Sequence, residues 1–85
     1  MSKNVVMYST SLCGFCSAAK SLLNAKGIEF EAIPVDSDTA KREEMMERSG
    51  RRTVPQIFIG DHHVGGFDDL NALNTAGKLD ELLAD

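Results

Sequence analysis

A chain of 85 residues with 42% hydrophobic content has room for one domain, residues 1–85, built on one modest core. Its 13 acidic and 9 basic residues leave a net charge of −4, which excludes the basic face of a general nucleic-acid binder. No run of about 18 apolar residues is present, which excludes a membrane span, and two cysteines are too few for a disulfide framework.

Val5, Val6, Met7 and Tyr8 form a short apolar run that predicts a buried strand, and Ser9-Thr10-Ser11 predicts a polar turn after it. A helix follows. Between Phe15 and Lys26 the apolar residues Ala18, Ala19, Leu22 and Leu23 recur at helical spacing, and Gly27 is placed to stop it. Ile28 to Val35 reads as a second strand. Asp36-Ser37-Asp38 then offers N-caps to a helix that runs to about Ser49 and closes at Gly50. Within that helix Asp38 with Arg42, and Glu44 with Arg48, stand at the i,i+4 spacing of ion pairs, and Met45 and Met46 supply the apolar side.

Gln56 to Ile59 and His62 to Val64 predict two strands joined through Gly60-Asp61 as a tight antiparallel hairpin. Gly65-Gly66 interrupts the chain before a third helix from about Phe67 to Thr75. Gly77 ends that helix, and Leu79, Leu82 and Leu83 form a last apolar turn. The order is β-α-β-α-β-β-α. A right-handed crossover makes the first two strands parallel and the hairpin makes the last two antiparallel, giving an α/β fold with a four-stranded mixed sheet flanked by helices.

Both cysteines lie in Ser11-Leu12-Cys13-Gly14-Phe15-Cys16, where the first strand ends and the first helix begins. A thiol is nucleophilic only as its thiolate, and the unpaired N–H groups and positive dipole end of a helix N-terminus favour that anion. Cys13 stands at the helix start and is the expected attacking sulfur. Cys16 lies three residues on, on the same side and more enclosed, suited to resolving a mixed disulfide. Other uses of two cysteines are each less well matched. A zinc site lacks its second spaced ligand pair even with His62 and His63 counted, a buried core pair would not sit at a strand-to-helix junction, and structural bridges belong mainly to secreted domains. Met-Ser-Lys-Asn leads straight into the first strand with no cleavable signal or Arg-rich transit pattern, so a reducing cytoplasm is the expected location.

Two further stretches bear on a site. Thr53-Val54-Pro55 precedes the third strand, where a proline without an N–H does no damage; by base rate its peptide bond would be trans. In Gly65-Gly66-Phe67-Asp68-Asp69 two glycines allow close approach to the N–H groups of a helix start, which suits a carboxylate, and the aspartates suit an ammonium. Such a pair of subsites fits an amino-acid head. Taken alone, however, the stretch is more ordinarily a glycine turn with acidic residues stabilising a first helical turn.

Together these residues resemble a dithiol glutaredoxin: a strand ending in Tyr8, C-x-x-C five residues on, TVP at 53–55, QIFIG at 56–60 and VGGFDDL at 64–70. The resemblance covers nearly the whole chain, with its motifs in order. It implies a thioredoxin-like fold in which Pro55 is cis and faces the redox centre. It further implies a glutathione-dependent oxidoreductase that reduces protein disulfides and glutathione mixed disulfides through Cys13 as nucleophile and Cys16 as resolving thiol. By the same resemblance, glutathione would meet Phe15, Thr53, the backbone of Val54, Pro55, and the turn at Gly66, Phe67, Asp68 and Asp69. Arg42 would meet its glycyl carboxylate. Partners are then glutathione and disulfide-containing or glutathionylated proteins, with no nucleic acid and no membrane.

Three departures from the family pattern stand out. Gly14-Phe15 replaces the usual Pro-Tyr between the cysteines, Thr10 stands where many members carry lysine, and Phe67 replaces a small residue or cysteine. Loss of that lysine is expected to weaken both thiolate stabilisation and carboxylate binding. Members with a small residue in place of the proline can hold a [2Fe–2S] cluster, so the alternative is a cluster carrier or sensor in which Cys13 is the metal ligand. That protein would be a cluster-bridged homodimer with two glutathiones rather than a monomer. The monothiol branch, which shares Gly-Phe, has an insertion before its cysteine that the short Ser9-to-Leu12 turn lacks. Service by thioredoxin reductase instead of glutathione is a third possibility, against which the GGFDD turn speaks.

Overall fold

The computed structural model describes residues 4–84. Its elements are β1 (Val5–Ser9), α1 (Gly14–Ala25), β2 (Glu31–Pro34), α2 (Thr39–Ser49), β3 (Gln56–Ile59), β4 (His62–Gly65), α3 (Phe67–Thr75) and α4 (Leu79–Leu83). They form one four-stranded sheet in the order β2-β1-β3-β4, with β1 parallel to β2 and antiparallel to β3, and β3 antiparallel to β4. The expected mixed sheet and helices are present.

Central strands covered on both faces read as continuous apolar runs, and β1 and β3 show why. Val5 and Met7 face one side with Ile57 and Ile59, and there they pack on Ala19 and Leu23 of α1, Leu70 of α3, and Leu79 and Leu83 of α4. The intervening residues Val6, Tyr8 and Phe58 face the other side, against Met45 of α2 and Val35. Leu23, Met45 and Leu70 are fully buried; each such side chain contributes roughly 1.5–3 kcal/mol by leaving water.

Three expectations are corrected. The second strand is shorter than Ile28 to Val35, because β2 pairs only with residues 6–9 of β1 and the chain from 28 to 30 is occupied in leaving α1, where Ile28 N–H donates to Leu23 O. The last apolar turn is a helix, α4, which covers the core with Leu79 and Leu83. Neither expected i,i+4 ion pair of α2 forms. Asp38 instead caps the helix by accepting from Lys41 N–H at 3.1 Å, and Glu44 and Arg48 both turn inward to the hydroxyl of Tyr8. Tyr8 donates to the Glu44 carboxylate, Arg48 donates to Tyr8 at 2.9 Å, and the Arg48 guanidinium lies 4.0 Å from the centre of the Phe58 ring. A buried phenol needs hydrogen-bond partners more than an exposed helix face needs ion pairs.

Candidate active site

The sheet brings three distant segments to one edge. β1 ends there at Ser9, β3 begins there because Gln56 pairs with Tyr8, and β4 ends there because Gly65 pairs with Ile57. The loop carrying the cysteines, the loop at 53–55 and the double glycine are therefore neighbours for topological reasons alone. Asp36, just beyond β2, secures the first loop by accepting from the N–H and the hydroxyl of Ser11 at 3.1 and 2.8 Å. Those bonds hold its carboxyl below the ordinary aspartate value.

Cys13 is the N-cap of α1. Its sulfur accepts the N–H of Cys16 at 3.1 Å, occupying one of the orphan donors that open a helix. Cys13 is half-buried, Cys16 is 1% exposed, and no disulfide joins them. Burial, and then the hydrogen bond with Cys13, push the Cys16 thiol up to about 11, so it is protonated at neutral pH. The pair is thus divided into a sulfur at the surface on a helix dipole and a protonated thiol enclosed behind it. Leu12 and Phe15, at 98% and 63% exposure, stand on either side of Cys13 as exposed apolar side chains.

The Cys13 sulfur lies 3.8 Å from the carbonyl oxygen of Val54. The Val54–Pro55 peptide bond is cis, the arrangement that the resemblance implied and base rate did not. A groove of about 200 Å³ runs from this loop to the start of α3 and is lined by Phe15, Arg51, Thr53, Val54, Pro55, Gln56, Gly66, Phe67, Asp68 and Asp69. Phe15 and Phe67 stack across it with ring centres 6.3 Å apart.

At the far end of the groove, Gly66 caps α3 and its N–H donates to Asp69 Oδ2 at 3.0 Å; Arg51 reaches the same oxygen at 3.4 Å. The Gly66 bond, and then Arg51, hold the Asp69 carboxyl below the ordinary aspartate value. Leu70 N–H is taken by Gly66 O, so the orphan donors of this helix start are those of residues 67–69. Gly65 is required here. Its φ is +115°, and a Cβ on it would stand 2.3 Å from Asp69 Oδ2. Gly65→Ala is expected to displace that carboxylate, freeing Arg51 and the Gly66 N–H, and to lower stability by about 2–4 kcal/mol. Urea unfolding measures the loss.

Of the residues expected from sequence, all but Arg42 meet here. Arg42 is exposed on α2 and does not line the groove, whereas Arg51 does. Sequence reasoning passed over Arg51 and Gln56. The available signals were a cation pair, Arg51-Arg52, directly ahead of TVP, and a lone polar residue heading an apolar strand.

A half-buried thiol at a helix N-terminus, a second thiol enclosed one turn behind it and a groove alongside define a thiol–disulfide oxidoreductase of thioredoxin-like fold. Comparison with known proteins makes the class specific. Residues 5–64 match the Glutaredoxin family model. The chain is 55% identical over 80 residues to glutaredoxin 3 of Escherichia coli K12, covering 94% of this chain and 96% of that one. Among solved structures it is similar to the glutaredoxin of Brucella melitensis (52% identity, TM-score 0.85, covering 96% of this chain and 89% of that one). It is also similar to a buckwheat glutaredoxin–glutathione complex (33% identity, TM-score 0.87, covering 95% and 76%). This chain belongs to the glutaredoxin family. Among the described residues no helix is long and apolar enough to cross a membrane.

Proposed function

We propose that this oxidoreductase is glutathione-dependent and reduces glutathione mixed disulfides and protein disulfides through Cys13 and Cys16. The observation that carries the reading is the groove that begins beside the Cys13 sulfur and ends at the N-terminus of α3 with Asp68 exposed next to it. A γ-glutamyl head carries one carboxylate and one ammonium, and this end offers helix N–H groups for the first and carboxylates for the second. Asp69 already holds Gly66 N–H and Arg51, which leaves Asp68 to take the ammonium. Arg51 is the cation at this γ-glutamyl end, in contact with Asp69; the glycyl carboxylate, at the opposite end of glutathione, is left to Arg42, as the resemblance implies.

In the first step the Cys13 thiolate attacks the glutathione sulfur of a mixed disulfide. A Cys13–glutathione bond forms, the protein–glutathione bond breaks, and the protein thiolate leaves and takes a proton. A second glutathione thiolate then attacks the bound glutathione sulfur, releasing glutathione disulfide and the Cys13 thiolate. With a protein disulfide, Cys16 instead loses its proton, attacks Cys13 sulfur and expels the bound protein thiol, and glutathione later reduces the Cys13–Cys16 disulfide.

The cluster-carrying alternative needs a second copy of the chain. No group of three or more His, Cys, Asp or Glu residues able to hold a metal occurs among the described residues, so one chain does not make a metal centre. A [2Fe–2S] cluster would need Cys13 from two copies and two glutathione thiolates. Glutathione-coupled reduction of a mixed disulfide by protein purified without air tests both readings. Rapid turnover by a colourless monomer is expected; slow turnover by a brown, glutathione-containing dimer would move the assignment to cluster binding. The double variant Asp68→Ala, Asp69→Ala is expected to raise the KM for glutathione by about tenfold, the effect of one or two lost charged hydrogen bonds. An unchanged KM would leave the turn with a structural role only.

A further inference from the structure

Gln56 is 1% exposed, yet it heads a strand whose other residues are all apolar. A buried amide is costly unless its donors and acceptor are satisfied. Its Nε2 donates to the Thr53 carbonyl at 3.0 Å and meets the Thr53 hydroxyl at 3.2 Å, while its Oε1 lies 2.7 Å from His63 Nε2. Because a carbonyl only accepts, Thr53 determines which way round the amide sits. Because amide Oε1 then faces the imidazole, His63 must carry a proton on Nε2. His63 lies opposite Phe58 in the β3–β4 ladder and stacks on its ring with centres 4.8 Å apart, so the imidazole is held in plane as well as in tautomer.

The consequence reaches the groove. Thr53 and Val54 are joined by a trans peptide, whose C=O and N–H point in opposite directions. Locking the Thr53 carbonyl onto buried Gln56 therefore locks the Val54 N–H facing away from Gln56, on the same residue whose carbonyl lies 3.8 Å from the Cys13 sulfur.

We propose that Gln56 and His63 form a positioning pair: His63, as its Nε2–H tautomer, orients the Gln56 amide, which sets the Thr53–Val54 peptide edge against which the glutathionyl part of a mixed disulfide is aligned. The proposal rests on the glutathione reading above. Neither residue touches the reacting sulfurs. Their effect is on alignment of the bound peptide, so it appears in KM more than in the reactivity of Cys13.

The test uses the wild-type protein and two variants. Long-range ¹⁵N–¹H spectra of the wild type are expected to show the Nε2–H tautomer for His63 at neutral pH; the Nδ1–H tautomer would overturn the proposal without any variant having to fold. His63→Phe keeps the ring stack and removes the donor. It is expected to raise the KM for a glutathionylated peptide about fivefold, the effect of one mispaired buried hydrogen bond. His63→Gln places an amide N–H where the ring Nε2 stood and is expected to restore the KM to near the wild-type value. If the two variants share one KM, raised or not, the positioning role is overturned. Failure of the wild type itself to turn over the glutathionylated peptide would instead overturn the glutathione reading.

Discussion

Cys13→Ser is expected to abolish disulfide reduction while leaving the fold intact. Serine keeps a side-chain acceptor at the N-cap of α1, so the N–H of Cys16 retains a partner and the helix retains its start. The hydroxyl, however, does not ionise near neutral pH and forms no disulfide, so the exchange step has no nucleophile. Turnover of a small disulfide coupled to glutathione reductase should fall to the uncatalysed rate, with an unchanged circular dichroism spectrum. Retained turnover would contradict the role given to Cys13. Alkylation supplies a matching check on the wild type. Brief iodoacetamide treatment at pH 7 is expected to add one group, on Cys13, because Cys16 is buried and its thiol is held up at about 11.

Cys16→Ser should divide the activities instead of removing them. On the proposed function, reduction of a glutathione mixed disulfide needs only Cys13 and a second glutathione, and it should continue at a rate comparable to that of the wild type. Reduction of a protein disulfide leaves the substrate joined to Cys13 until a thiol expels it, and without Cys16 that complex should accumulate. Mass spectrometry of the quenched reaction detects it as a covalent adduct of the two proteins. If protein-disulfide reduction continues at the wild-type rate with no adduct, Cys16 is not the resolving thiol. The high value of the Cys16 thiol belongs to the reduced protein, where burial is its main cause and the hydrogen bond with the Cys13 sulfur the next; converting Cys13 to a mixed disulfide changes the second of these at the step where Cys16 attacks.

Much of this arrangement is legible in the chain because its causes are local. A sulfur that caps a helix is read from C-x-x-C at a strand-to-helix junction, since the N-cap and the N–H it satisfies are three residues apart. The stops at Gly27, Gly50 and Gly77 are read likewise, each with φ near +70°. The runs at 5–8 and 56–59 are apolar at successive positions because both faces of β1 and β3 are covered; the first reads as a buried strand from sequence, and the pairing shows both to be central. The double glycine announced the start of α3, though not that Asp69 is already engaged by Gly66 and Arg51.

By itself, then, the sequence determined the order of the elements as far as α3, the mixed sheet flanked by helices, the place of Cys13 on a helix terminus and the family. Only the tertiary structure decided that Arg51 rather than Arg42 lines the groove, that Glu44 and Arg48 serve Tyr8, and that Gln56 joins His63 to Thr53. The physical reason is range for Tyr8 with Glu44 and Arg48, and hairpin register for Gln56 with His63. Caps, turns and periodicity are satisfied within about one helical turn and leave a pattern along the chain. The partners of a buried polar side chain are instead chosen by strand register and by which helix face meets the sheet, and residues 36 or 40 positions apart carry no mark of one another until the sheet closes.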